Sequence, residues 1–227
     1  MKFEKSTLGI FSNFASINPS IQVKPGNKIR TVNKGKTVFA EAFLDVSFDK
    51  EFCILDLGRF LSTLSLFTDP EVIIHEGHLE LREGTNVIKY ATATASTILI
   101  PKDNVIDFGQ AFVTFDLPQE VIAKAIKAAS ILKVEYIAVL SKDGKIVVQA
   151  YDNNGLLADT FEQEIGDTDK EFSIIYNISN LQILPLSYTV NIHRVQGGDG
   201  PLPVAILNSK DATKIKYIIG LEKTSKF

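Results

Sequence analysis

Residues 56–81 read DLGRFLSTLSLFTDPEVIIHEGHLEL, and this stretch holds the building unit of the chain. Leu57, Phe60, Leu61, Leu64 and Phe67 recur at the spacing of one helical face, which predicts a helix over Asp56–Phe67. Asp56 suits the cap, because its short carboxylate can accept from a first-turn N–H that has no partner inside the helix. Asp69-Pro70 closes the segment, since the proline ring disfavours helical geometry at the residue before it. Val72–His75 and His78–Leu81 then flank Glu76-Gly77 as two extended runs around a turn. The order is helix, strand, glycine-containing turn, strand.

The same order recurs. Ser6–Ile17 places Leu8, Phe11, Phe14 and Ala15 on one face, with Ser6 as the expected N-cap, and precedes Lys28–Val32, Asn33-Lys34-Gly35 and Thr37–Phe43. Pro118–Leu132 puts Val121, Ile122, Ala125, Ala129 and Leu132 on a buried stripe behind Asp116 or Leu117, with proline suited to the first turn. Val134–Leu140, the Lys142-Asp143-Gly144 turn and Lys145–Tyr151 follow it. A fourth helix is expected from Asn177 to about Leu184, stopped by Pro185 and followed by Tyr188–Val195, the Gly197–Gly200 turn and Pro203–Leu207. Helix starts near residues 6, 56, 118 and 177 suggest an internally repeated unit, and any α+β protein with four helices is the plainer alternative. Pro101–Gly109, PKDNVIDFG, reads as a linker exposing Val105, Ile106 and Phe108. The expected division is a domain over 1–102, a connector over 103–112 and a domain over 113–227.

Composition narrows the class. Hydrophobic residues make up 45% of the 227, including 15 Phe and no Trp, so a sizeable core is available. Cys53 is the single cysteine, which excludes an intrachain disulfide and fits a reducing compartment. The first residues lack the apolar run of a signal peptide, and no window approaches the ~20 apolar residues of a membrane span. A net charge of −3, from 24 basic and 27 acidic residues, argues against a protein that grips nucleic acid over a broad basic surface. It argues less against one that surrounds nucleic acid with a few inward-facing cations.

Catalytic motifs are not found. Gly35-Lys36-Thr37 copies the end of a phosphate-binding loop, but Arg30 stands where its first glycine is required, so a hairpin turn is the reading. His75 and His78 with Glu76 straddle a turn without a second ligand cluster, and His193 is distant in sequence. Asp152-Asn153-Asn154-Gly155 lacks the closing acidic residue of a calcium loop. Cys53 in an apolar run reads as a packed thiol. No catalytic residue, metal site or cofactor is expected.

Asn13-Phe14-Ala15-Ser16-Ile17-Asn18, and Leu55-Asp56-Leu57 with Phe60-Leu61 and Leu64-Ser65-Leu66, resemble the sliding clamps of T-even-type tailed phages. Chain length, the Met-Lys start and the order of helices and hairpins extend the resemblance, which is best in residues 1–100 and thinner beyond about 150. It implies the DNA-clamp fold: α+β, two similar domains per chain, helices lining a ring channel and antiparallel sheets outside. It further implies a non-catalytic homotrimer, closed head to tail and lined by twelve helices, that encircles double-stranded DNA without sequence preference and tethers a DNA polymerase. An ATP-dependent clamp loader and late-transcription factors are implied as further partners, no membrane, and the host cell cytoplasm as the location.

The resemblance also assigns residues. Lys5, Arg59, Lys124, Lys127 and Lys133 are expected to face DNA; without it, Glu120 and Lys124 read as an exposed i,i+4 pair. Asn86–Ala93 is the expected first-domain edge strand, with Ile88 and Tyr90 at the subunit interface opposite a segment around Leu156–Ile165 that contributes Leu157. Tyr90 as an ordinary core aromatic is the alternative. A pocket for a partner's peptide maps to Val105, Ile106 and Phe108, with Val204 and Ile218 as its far wall. Two readings remain beside the clamp: a β-rich structural or interaction protein of a phage particle, and an enzyme with an unrecognised site.

Overall fold

The computed structural model describes residues 1–103, 107–152, 159–197 and 200–227, which form two compact units. The first comprises Met1–Asp103 with Thr213–Ile215. It runs α1 (Lys5–Ile17), β1 (Ile21–Val23), β2 (Gly26–Val32), β3 (Val38–Phe48), β4 (Phe52–Ile54), α2 (Leu57–Leu64), β5 (Glu71–Ile74), β6 (His78–Glu83) and β7 (Asn86–Ala91). Antiparallel pairing gives the orders β4-β1-β2-β3 and β5-β6-β7.

Helix α1 buries Thr7, Ile10, Phe11, Phe14 and Ile17, a face turned slightly from the expected one, so Leu8 and Ala15 are only half-buried. Phe11 meets Phe3 at 5.7 Å between ring centres, and Phe48 extends the cluster to Phe52 at 5.4 Å. Each fully buried aromatic of this kind contributes roughly 1.5–3 kcal/mol. The expected Ser6 cap is corrected: the helix begins at Lys5, Glu4 holds the cap position, and the Ser6 hydroxyl donates instead to Asp45 Oδ2 at 2.9 Å. One residue inside the helix, the Ser6 oxygen no longer stands ahead of the unpaired first-turn N–H groups that a cap accepts from, and its hydroxyl is left to donate to the carboxylate.

In α2 the Asp56 cap is as expected: Oδ1 accepts from the Arg59 N–H at 2.8 Å. The helix ends at Leu64, short of Phe67, because its last turn tightens: the Leu66 and Phe67 N–H groups donate to Thr63 and Leu64 carbonyls three residues back.

The second unit comprises 104–212 and Lys216–Phe227. It contains β8 (Val113–Leu117), α3 (Gln119–Leu132), β9 (Tyr136–Lys142), β10 (Lys145–Tyr151), β11 (Phe161–Asp167), β12 (Ser173–Asn177), β13 (Tyr188–Gly197), β14 (Gly200–Ser209) and β15 (Ile215–Gly220). The sheet orders are β11-β10-β9-β12 and β15-β14-β13-β8. Pro118, expected in the first turn, stands instead in extended geometry at the N-cap position of α3 and makes no side-chain cap. The buried Val121, Ile122, Ala125 and Ala129 of the helix pack over β9, β10 and β11. The β9–β10 turn has Asp143 at φ 52° and Gly144 at φ 76°, the mirror-image turn that matches strand twist.

The expected fourth helix does not form. Asn177 ends β12, its side chain caps a single 3-10 turn over Ile178–Asn180, and the chain then continues with Leu181 and Ile183 buried and Gln182 exposed. That alternation has the period of extended chain, so one face cannot be buried as a helix would require. Three α-helices, rather than four, are present among the described residues. Strands that end a sheet are β4, β5 and β7 in the first unit and β8, β11 and β12 in the second.

Candidate nucleic-acid interface

The solvent face of α1 carries Lys5, Gly9, Ser12 and Ser16, and that of α2 carries Gly58, Arg59 and Ser62. Small side chains leave these faces low, and their hydroxyls turn inward: Ser16 donates to the Asn13 carbonyl at 2.7 Å, Ser62 to Gly58 at 3.0 Å and Thr63 to Arg59 at 2.8 Å. A hydroxyl satisfied by its own helix does not reach out to hold a neighbour in one position.

Lys5, Arg59, Lys124, Lys127 and Lys133 are all exposed, and none forms an ion pair among the described residues. Glu120 and Lys124 do not close to ion-pair distance despite their i,i+4 spacing. Three strand lysines behave differently: Lys28 pairs with Glu41 at 2.7 Å, Lys142 with Glu162 at 2.9 Å and Lys145 with Asp167 at 2.5 Å. Lys133 occupies the C-cap of α3 at φ 56°, a left-handed position where glycine is usual.

Tyr90 lies on β7, half-buried against its own helix α2. Its hydroxyl donates to the Asp56 carbonyl at 2.9 Å, its ring meets Phe60 edge-on at 5.2 Å, and Arg59 sits 6.0 Å from the ring centre. Burial pushes the Tyr90 phenol above its ordinary range. Ile88 is half-buried on the same face, and Val87 and Lys89 point to solvent. Leu157, Val105 and Ile106 lie outside the described residues.

Phe108 is half-buried rather than fully displayed. Its carbonyl accepts from His193 Nδ1 at 3.0 Å, so that nitrogen carries the proton, and its ring lies 5.7 Å from the imidazole. Cross-strand register sets His193 opposite Val204 and Ile206 opposite Ile218. His193, Val204, Ile206 and Ile218 therefore share the outer face of β13–β15, with Phe108 over its margin. The sequence reading missed His193, whose only advance signal was its alternation with the core residues Val190 and Ile192.

Two further clusters were not foreseen. Asp103 accepts from Lys24 Nζ at 2.9 Å and from Arg30, and these partners, Lys24 first, hold its carboxyl down at about 2. Glu80, rather than Glu76, joins His75 and His78. The Gly35-Lys36-Thr37 decoy is a turn closed by Asn33, whose Oδ1 accepts from the Thr37 and Val38 N–H groups at 2.9 and 3.0 Å. Cys53 is buried in β4, and burial raises its thiol. No helix among the described residues is long and apolar enough to cross a membrane.

Two α+β units, each with helix packed on antiparallel sheet, make the fold that solved DNA clamps share. The fold recurs in the structure of the C-terminal region of FEN-1 bound to A. fulgidus PCNA, with a TM-score of 0.66, 16% identity and 96% of each chain covered. It recurs also in the PCNA2-PCNA3 complex from Sulfolobus tokodaii, with a TM-score of 0.66, 14% identity, and 97% of this chain and 98% of that one covered. Residues 2–100 match the family described as DNA polymerase processivity factor, and residues 114–222 match the one described as gp45 sliding clamp, C terminal. The sliding clamp of Escherichia phage RB69 is 31% identical over 99% of this chain and 98% of its own. The chain belongs to the sliding-clamp family of T-even-type phages. Membership sets aside the particle-protein reading.

Proposed function

We propose that three copies of the chain close head to tail into a ring around double-stranded DNA and hold a DNA polymerase to its template. The exposed faces of α1, α2 and α3 turn toward the duplex, and the edge strands β7 and β11 of neighbouring copies pair. A closed ring uses up strand edges that would otherwise invite aggregation. The protein does no chemistry; its contribution is topological. An ATP-dependent loader opens and closes the ring, late-transcription factors share it, and it acts in the host cytoplasm.

The observation that carries this reading is the unpaired state of the helix cations. A lysine in an ion pair has its charge neutralised locally, whereas Lys5, Lys124, Lys127 and Lys133 keep theirs for a polyanion. Phosphate contacts of this kind carry no sequence information, so the ring can move along DNA without a preferred stop. The face bearing Phe108, Val204 and Ile218 suits a partner's peptide, and the related fold seen with a bound region of FEN-1 supports that use.

The test is the double substitution Lys124→Ala/Lys127→Ala, followed by retention on circular DNA across a salt series. The ring should stay intact by light scattering while retention falls. The salt slope should become shallower by up to about 2, near 0.9 for each phosphate that is no longer neutralised. Unchanged retention at every salt concentration would overturn the assignment.

A further inference from the structure

We propose that the β5–β6 hairpin carries a binding site for a divalent transition-metal ion of the zinc type, formed by His75, His78 and Glu80. The three residues offer one ligand atom each, two imidazole nitrogens and a carboxylate oxygen, and these atoms all lie within 4.8 Å of one another. Nitrogen and oxygen donors in this ratio suit zinc and its borderline neighbours rather than calcium or magnesium, which take oxygen alone.

The fold accounts for their convergence. The His75 N–H donates to the His78 carbonyl at 3.0 Å, closing a hairpin whose Gly77 takes φ 77°. That closure puts the two imidazoles on one face, where they stack at 4.7 Å with their planes 10° apart. Strand alternation then brings Glu80, two residues beyond His78, to the same face. Glu80 is only 8% exposed, although charged groups are rarely so buried without a purpose or a partner.

Arg82 supplies that partner on one side only. Its Nε and a terminal nitrogen approach the same oxygen, Glu80 Oε1, at 2.9 and 2.8 Å. The second oxygen, Oε2, is left facing His75 Nε2 at 3.8 Å. Arg82 thus acts as an outer group that fixes the carboxylate and keeps it ionised, the role such groups play around metal ligands. Its charge and that of Lys89, opposite Glu80 on β7, lower the affinity for a cation, so the site is one of moderate strength. Bonds of about 2.1 Å allow donors to be at most about 4.2 Å apart, and stacked rings direct their in-plane lone pairs along parallel planes, so binding requires the exposed His75 ring to turn out of the stack toward Glu80. Three protein ligands leave a fourth position to water.

The consequence is mechanical: an ion at this point cross-links the turn of β5–β6 on the solvent face of a sheet whose third strand is the open edge β7. Binding to the folded form alone raises its stability in proportion to the logarithm of free metal.

The test is calorimetric titration of the full chain with zinc, with magnesium as control, and thermal unfolding with and without zinc and a chelator. One zinc per chain should bind, the unfolding midpoint should rise, and the chelator should reverse the rise, with no response to magnesium. His75→Ala, His78→Asn and Glu80→Gln should each weaken binding by about tenfold or more while the metal-free unfolding midpoint of at least one stays unchanged. The chain has only 3 histidines, and the third, His193, is buried, so residual binding has no equivalent refuge. Absence of saturable zinc binding, or binding unaltered in the folded variants, overturns the proposal.

Discussion

Lys133 joins a left-handed helix cap to the proposed DNA-facing role. A non-glycine residue at φ 56° costs about 1 kcal/mol relative to glycine, and a positive charge at a helix C-terminus returns some of it through the helix dipole. Lys133→Gly is therefore expected to raise stability by up to about 1 kcal/mol in urea unfolding and yet lower retention on DNA. A fall in both quantities would mean that the side chain serves the fold alone. Asp103 gives a pH signature. Its carboxyl, held near about 2 by Lys24 and Arg30, is depressed from an unfolded value of about 3.9, so its contribution is complete above that value and disappears as pH falls through the folded one. Asp103→Asn should remove the part of the acid-induced loss of stability that lies between about pH 4 and 2. Superimposable wild-type and variant profiles in that window would contradict this. Lysines on helix faces were legible in the sequence because position on a 3.6-residue period is local information. The anchoring of Asp103 was not, since Lys24 and Arg30 are 79 and 73 residues away along the chain.

At the scale of elements, Asp56 and β7 are joined: the residue that caps α2 with its side chain receives Tyr90 on its carbonyl. Asp56→Ala should cost about 0.5–2 kcal/mol through removal of the cap, measured by urea unfolding, and Tyr90→Phe should cost about 0.5–1.5 kcal/mol through removal of the hydroxyl bond. If Tyr90 also contributes to the subunit interface, Tyr90→Ala will lower assembly mass as well as stability; an unchanged mass confines it to its own unit. Edge pairing makes a sharper forecast. Lys89 on β7 and Glu164 on β11 are both exposed, so Glu164→Lys should weaken association at low salt and a second change, Lys89→Glu, should restore it. Indifference of assembly to both changes would argue against β7–β11 pairing. The helices α1, α2 and α3 and the glycine hairpins could be read from periodicity and turn chemistry. The fourth helix was over-read: repeat logic favoured it, but Leu181, Gln182 and Ile183 alternate in burial and the Asn177 cap supports only one 3-10 turn. Repetition of a fold does not oblige each copy to keep every element.

For the whole molecule, mild acidity and DNA association are compatible once charge is considered by location. Paired Lys28, Lys142 and Lys145 on strands and unpaired Lys5, Lys124 and Lys127 on helices give a surface whose net charge says little about any one face. A homotrimer should weigh about 75 kDa, three times 25.0 kDa, by light scattering, and a mass of one chain at working concentration would contradict ring closure. What the sequence could not convey at this scale was the outer face of β13–β15, since His193, Val204 and Ile218 meet only through strand register. The central claim is that topology, rather than affinity, holds the protein on DNA. Its most direct test is to load the protein on a nicked circle with loader and ATP, then compare retention before and after one cut linearises the DNA. Retention on the circle at moderate salt and rapid loss from the cut molecule is the expected result. Equal retention on both forms would contradict the account.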